Sequence, residues 1–188
     1  MNAIILHGRP GKKEYYSDEH PSSSNYHWIP WLQKQLMIRD IKADTPEIPN
    51  AYAPDWQTWC TEFERFEVNE GTILVGHSNG GGFLVRWLSE NPDIKVKFLG
   101  LVAPSFNEGE LTDGDFFDFK IDSSIASRVG RIVVFNGMKD SQSVHDSIES
   151  IVKEIDGVEL REFENLAHFC VDDMESEKFP ELLEEILK

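Results

Sequence analysis

Short apolar runs alternate along this chain with longer segments in which apolar residues recur at helical spacing. The runs at 3–6, 41–43, 72–75, 98–102, 131–135 and 158–163 read as strands. Between them, 28–37, 56–66, 81–90, 144–155 and 180–187 carry apolar residues at three- and four-residue intervals and read as helices. Strand and helix alternating throughout predicts an α/β fold: a mainly parallel sheet of about six strands in a three-layer arrangement, with right-handed crossovers placing helices on both faces. No internal repeat or linker divides the chain, so residues 1–188 are expected to form a single domain.

Two stretches break the rhythm. Residues 11–25 are polar, rich in Lys, Asp, Ser and Tyr, and are expected to form a mobile loop before the helix at 28. Residues 105–128 mix acids with Phe106, Phe116, Phe117 and Phe119 and show no clear period. Inserted after a strand, they fit either a flap over the ligand edge of the sheet or a loop packed on its own phenylalanines.

The strand at 72–75 runs directly into Gly76-His77-Ser78-Asn79-Gly80, a Gly-x-Ser-x-Gly pentapeptide, and then into a helix. That context predicts a nucleophile elbow, in which a tight strand-to-helix turn lifts Ser78 clear of the backbone and leaves no room for a Cβ at the flanking glycines. The entering helix aims its free N–H groups, starting with that of Asn79, at the place where negative charge develops on an attacked carbonyl oxygen.

A serine hydroxyl needs a base, and a histidine base needs a carboxylate to orient it. Asp140 follows the strand at 131–135, and His168 follows the strand at 158–163. Parallel strands bring their carboxyl ends to one edge, so Ser78, Asp140 and His168 are expected to meet there, in the chain order of α/β hydrolases. Glu108 is the main rival carboxylate. Of the other histidines, His77 is expected to turn away from Ser78, His145 to lie on the solvated surface, and His20 and His27 to lack a strand end beneath them. His7 is expected near the site. A second oxyanion donor should come from the loop after the first strand, where Gly8 and Arg9 have N–H groups and Pro10 has none. Arg9 is the choice here, and a plain glycine turn ending a buried strand is the alternative.

Composition narrows the function classes. A chain of 188 residues with 40% hydrophobic content is long enough to fold around its own core. The net charge of −16 repels nucleic-acid phosphates and anionic membranes, so neither is an expected partner. The N-terminal apolar run is too short for a signal peptide, and no stretch approaches the roughly 20 residues of a membrane span. With only Cys60 and Cys170 present and no Cys-x-x-Cys pair, a cytoplasmic home is expected. Cys170 has no elbow around it and reads as a small packed side chain. The five tryptophans, Trp28, Trp31, Trp56, Trp59 and Trp87, sit at helical spacing and read as packing. Dispersed histidines argue against a metal site, and no cofactor is expected. A phosphate loop over residues 8–13 fails on spacing.

With these residues in place, the chain resembles the small α/β-hydrolase group that includes the retinoblastoma-binding serine hydrolase and its bacterial relatives. The likeness spans nearly the full length. It rests on His7-Gly8, Trp28-Ile29-Pro30-Trp31-Leu32, Pro46-Glu47-Ile48-Pro49 with Trp56 beyond, the elbow at 76–81, the Asp140 turn and Ala167-His168-Phe169. The elbow departs from the frequent family form in carrying Asn79 where Leu is common. The resemblance implies a serine hydrolase with little or no separate lid domain and with Ser78, Asp140 and His168 as its triad. No Leu-x-Cys-x-Glu stretch occurs, so the pocket-protein partner of the family name is not carried over. The expectation is a hydrolase of small carboxylic esters, with amide cleavage possible. Its partner is a small-molecule substrate, and the alternative is a non-catalytic binding protein on the same fold.

Overall fold

The structure, a computed structural model, describes residues 1–106 and 116–188. Its strands are β1 (Asn2–Leu6), β2 (Lys42–Asp44), β3 (Thr72–His77), β4 (Phe98–Val102), β5 (Ile132–Gly137) and β6 (Glu159–Phe163). They form one parallel sheet in the order β2-β1-β3-β4-β5-β6. Every residue of β3, β4 and β5 is buried, which is why these runs are almost continuously apolar, while β6 at the edge is only partly covered.

The helices are α1 (Lys12–Tyr15), α2 (Ile29–Met37), α3 (Trp56–Phe63), α4 (Asn79–Glu90), α5 (Ile125–Arg128), α6 (Gln142–Glu154), α7 (Val171–Met174) and α8 (Pro180–Leu187). Both faces of the sheet are covered. A Cβ on Gly76 would strike the backbone of α4, whereas one on Gly100 would meet Leu182 of α8. Gly76 pairs in register with Leu101, the neighbour of Gly100, and adjacent strand residues point to opposite faces. Therefore α4 and α8 lie on opposite sides. Phe63 of α3 packs edge-on against Phe83 of α4, and Trp28 packs against Phe179 beside α8.

Trp28, Trp59 and Trp87 are buried, and Trp31 and Trp56 pack against the same core, as their spacing predicts. The guanidinium of Arg86 lies 3.9 Å from the Trp56 ring centre and donates to the Phe116 carbonyl (2.8 Å). Glu108, the rival carboxylate, and residues 107–115 of the expected flap at 105–128 lie outside the described residues.

Three elements differ from the sequence reading. Helix α4 begins at Asn79, two residues before the predicted start, because glycines that usually break a helix are here required by close packing. Helix α3 stops at Phe63 rather than continuing to 66. Segment 11–25 is not a plain loop: it contains α1 and a 3-10 turn at Ser23–Asn25, both too short to show a period. It is tied down by Asn50 N–H donating to Tyr15 Oη (2.9 Å) and by Ser24 N–H donating to Glu47 (2.7 Å).

Candidate active site

Strand order reverses at β1. The chain leaves β1 toward β2 and returns on its other side to β3, so a crevice opens between the carboxyl ends of β1 and β3, where open α/β sheets bind ligands. Ser78 stands there, at the junction of β3 and α4.

Its backbone is strained, with φ 53° and ψ −122°. Four hydrogen bonds hold it: its N–H donates to Val102 (2.9 Å), and its carbonyl accepts from Gly81 (2.9 Å), Gly82 (3.1 Å) and Ser105 (3.1 Å). Glycine is required on both flanks of the turn. A Cβ on Gly76 would sit 2.5 Å from Gly81 N, and one on Gly80 2.5 Å from the His7 carbonyl oxygen. Asn79 is buried in the first turn of α4, its N–H at the positive end of a 12-residue helix.

Asp140 and His168 come together. His168 Nδ1 lies 2.7 Å from Asp140 Oδ2, so Nδ1–H donates to the carboxylate, and in the neutral ring the lone pair is then on Nε2. Asp140 Oδ1 accepts from Ser141 N–H (2.7 Å), which fixes the carboxylate plane. The two loops are stitched by Met138 N–H to Phe163 O and Lys139 N–H to Leu166 O, both 3.0 Å. His145 is half-buried rather than solvated and donates through Nε2 to the Gly137 carbonyl (3.1 Å), supporting the same turn.

The loop carrying His168 has two further supports. The Asp173 carboxylate accepts from Ala167 N–H (2.8 Å) and Phe169 N–H (2.9 Å). The buried His77 donates from Nε2 to the His168 carbonyl (2.7 Å), so its ring does turn away from its own neighbour Ser78. Burial, then the neighbouring histidines, hold His77 well below the usual imidazole pKa and keep it neutral. Asp173 gave no sequence signal, since nothing local separates it from Asp172.

Ser78, His168, Gly8 and Arg9 all line one cavity of about 570 Å³. The buried His7 also borders it. Its Nε2 accepts from Ile48 N–H (3.0 Å), which leaves Nδ1–H to donate to the Gly8 carbonyl (2.6 Å). Burial lowers the His7 pKa, consistent with this neutral form. The far wall comes from segment 11–27, with Tyr15, Tyr26, His20 and His27. Thus His20 and His27 border the site, carried there by segment 11–27 and not by a strand end. His27 has φ 55°, stacks on Tyr26, and accepts from Val171 N–H (3.1 Å) through Nδ1. Among the described residues, none of 105–128 lines this cavity.

Cys170 borders the cavity instead of being simply packed away. Burial pushes its thiol up to about 11 and that of the buried Cys60 to about 12. Among the described residues, no group of three or more His, Cys, Asp or Glu is placed to hold a metal, and no helix is long and apolar enough to cross a membrane.

Comparison with known proteins bears on the family and the fold. The sequence model described as serine hydrolase matches residues 20–184. YdeN of Bacillus subtilis (strain 168) is 29% identical over 179 residues, covering 86% of this chain and 88% of YdeN. The crystal structure of the B. subtilis ydeN gene product superposes with a TM-score of 0.79 at 21% identity, covering 99% of this chain and 96% of that one. Two further solved structures share the fold. The monoacylglycerol lipase of Paleococcus ferrophilus has a TM-score of 0.65 at 13% identity, covering 99% and 92%. Est1E of Butyrivibrio proteoclasticus with ferulic acid bound has a TM-score of 0.63 at 15% identity, covering 100% and 90%.

Proposed function

The chain belongs to the serine hydrolase family, and on that premise we propose that it cleaves a small carboxylic ester, and more slowly an amide, through an acyl-enzyme on Ser78. The observation that carries the reading is the 2.7 Å bond between His168 Nδ1 and Asp140 Oδ2, at the cavity that also receives Ser78.

In this mechanism His168 Nε2 takes the hydroxyl proton as Ser78 Oγ attacks the carbonyl carbon, and the carbonyl electron pair moves onto oxygen. The N–H groups of Asn79 and Arg9 stabilise that oxyanion, each worth about 3 kcal/mol in the transition state. Collapse expels the leaving group, which receives the proton from His168. Water then repeats the sequence: His168 takes its proton, the oxygen attacks the acyl carbon, and Ser78 Oγ leaves with the proton restored.

The cavity walls also support a substrate class. Tyr15, Tyr26, His20 and His27 supply aromatic rings to its lining, and Glu14 and Glu47 supply acceptors. No Leu, Ile, Val or Met appears among its described lining. These walls favour acyl or leaving groups bearing rings or polar atoms over long alkyl chains. The Est1E structure holds a phenolic acid, a ligand of the favoured kind. Within the family, we place the chain near the retinoblastoma-binding serine hydrolase and its bacterial relatives.

The test is labelling with a fluorophosphonate and turnover of a p-nitrophenyl ester panel. Labelling lost in Ser78→Ala, a burst of p-nitrophenol and abolished turnover in His168→Ala are expected. Labelling that persists in Ser78→Ala excludes the nucleophile, and tight ligand binding without any turnover makes the protein a binding module.

A further inference from the structure

We propose that His77 and Asp173 are positioning residues that hold the general base: together they grip the peptide between His168 and Phe169 from opposite sides. The inference rests on the reading of His168 as the base.

A trans peptide points its C=O and N–H in opposite directions. Here the carbonyl of His168 receives the Nε2–H of His77 at 2.7 Å, and the N–H of Phe169 is received by Asp173 Oδ2 at 2.9 Å. Each bond opposes rotation of the peptide plane in the sense that would break the other. The grip has something to resist. Phe169 has φ 57°, a left-handed conformation that costs a phenylalanine about 1 kcal/mol or more and relaxes if the peptide is released. Asp173 extends the hold one residue upstream through Ala167 N–H at 2.8 Å. The backbone on either side of the base is thereby fixed.

The position of His77 adds a second consequence. It directly precedes Ser78 in a turn held by four backbone bonds, so its side chain ties the base loop to the nucleophile's own backbone. The link is a single buried imidazole, wedged among the rings of His27, Trp28 and His168 at centroid distances of 5.6, 5.7 and 5.2 Å. Nucleophile and base arise 90 residues apart in sequence, yet this hydrogen bond joins the backbone of the base directly to the residue beside the nucleophile. An error of about 1 Å in such a separation costs on the order of 100-fold in rate.

The test uses the full chain with a p-nitrophenyl ester. His77→Leu removes the donor at similar volume, His77→Gln restores an N–H near the Nε2 position, and Asp173→Ala releases the other side. His77→Leu and Asp173→Ala are expected to lower kcat about 10- to 100-fold with little change in KM, while His77→Gln stays within a few-fold of the parent. The downfield proton resonance of the His168 Nδ1–H bound to Asp140 should broaden or shift in the two disabled variants and persist in His77→Gln. Folded His77→Leu and Asp173→Ala proteins that keep full kcat and an unchanged resonance overturn the proposal. A glutamine variant as impaired as the leucine variant does so too. If His77→Leu does not fold, Asp173→Ala, at a less buried position, decides alone. Ser78→Ala and His168→Ala serve as controls: if they retain turnover, the hydrolase reading itself fails, whereas dead controls beside an unaffected His77→Leu defeat only the grip.

Discussion

Gly8 is packed against Ser78 so closely that a Cβ on it would stand 2.8 Å from the Ser78 Cβ and 3.3 Å from the His77 carbonyl oxygen. The loop after β1 therefore forms one wall of the nucleophile's surroundings, which is where a second oxyanion donor has to be. Gly8→Ala should displace the turn or the serine. The expected result is a fall in kcat of about 10-fold or more, with a stability cost of about 1–3 kcal/mol from overpacking. Steady-state kinetics beside urea unfolding checks both.

His7 gives that loop its orientation. Its Nδ1–H holds the Gly8 carbonyl, so the trans peptide directs Arg9 N–H the other way, while Nε2 satisfies the buried Ile48 N–H. His7→Leu leaves both backbone groups without this partner. A loss of about 1–3 kcal/mol per unsatisfied group is expected, together with a fall in kcat larger than any rise in KM, if Arg9 N–H serves the oxyanion. Denaturant unfolding and ester kinetics of the same variant separate the two effects.

Stability should rise with pH across the acid range. Burial, then the nearby His168, lowers the His27 pKa from 6.5 to about 4. Between these values the unfolded chain binds more protons than the folded one, so unfolding becomes harder as pH rises, and the effect levels off above 6.5. His27 alone contributes up to about 3 kcal/mol, and His7 and His77 act in the same direction. His27→Asn keeps a residue that tolerates φ 55° and should flatten the slope. Urea unfolding at several pH values reads it directly.

A separate acid window belongs to the edge of the sheet. Hydrogen bonding from Arg131 holds Glu159 near 2. Burial opposes ionisation of Glu185, but hydrogen bonds from Arg161, Arg131 and Lys188 hold it near 2 as well. The stability these two carboxylates contribute is present above about 4.5 and is lost as pH falls toward 2. Replacing Glu185 by Gln should leave the His27 window unchanged and shrink the loss below it.

Neither cysteine is expected to support turnover. With thiols pushed to about 11 at Cys170 and about 12 at Cys60, almost no thiolate exists at neutral pH. Iodoacetamide treatment and the Cys170→Ala substitution should both leave ester hydrolysis within about twofold of the parent. Strong inactivation by brief alkylation would point to a thiol at work beside His168.

Much of the fold was legible because each part of it has a local cause. The runs at 98–102 and 180–187 coincide with β4 and α8, and the other strands shift by no more than two residues. Buried parallel strands must be apolar throughout, and long helices must repeat their apolar face, so both leave a pattern in the order of residues. The short helices α1, α5 and α7 are each a single turn and leave none. Ser78 announced itself through two glycines that a tight turn requires, whereas Asp140 and His168 were found only by their places after strands.

The chain order of apolar and polar residues thus determined the elements, their parallel arrangement and the edge at which Ser78, Asp140 and His168 arise. Tertiary structure alone decided that His168 and Asp140 meet at 2.7 Å, that His77 reaches the His168 backbone, and that segment 11–27 walls the cavity. Local preferences act over a few residues, while a hydrogen bond between loops depends on the register and twist of every strand between them. That information is held in packing and not in any short stretch of sequence.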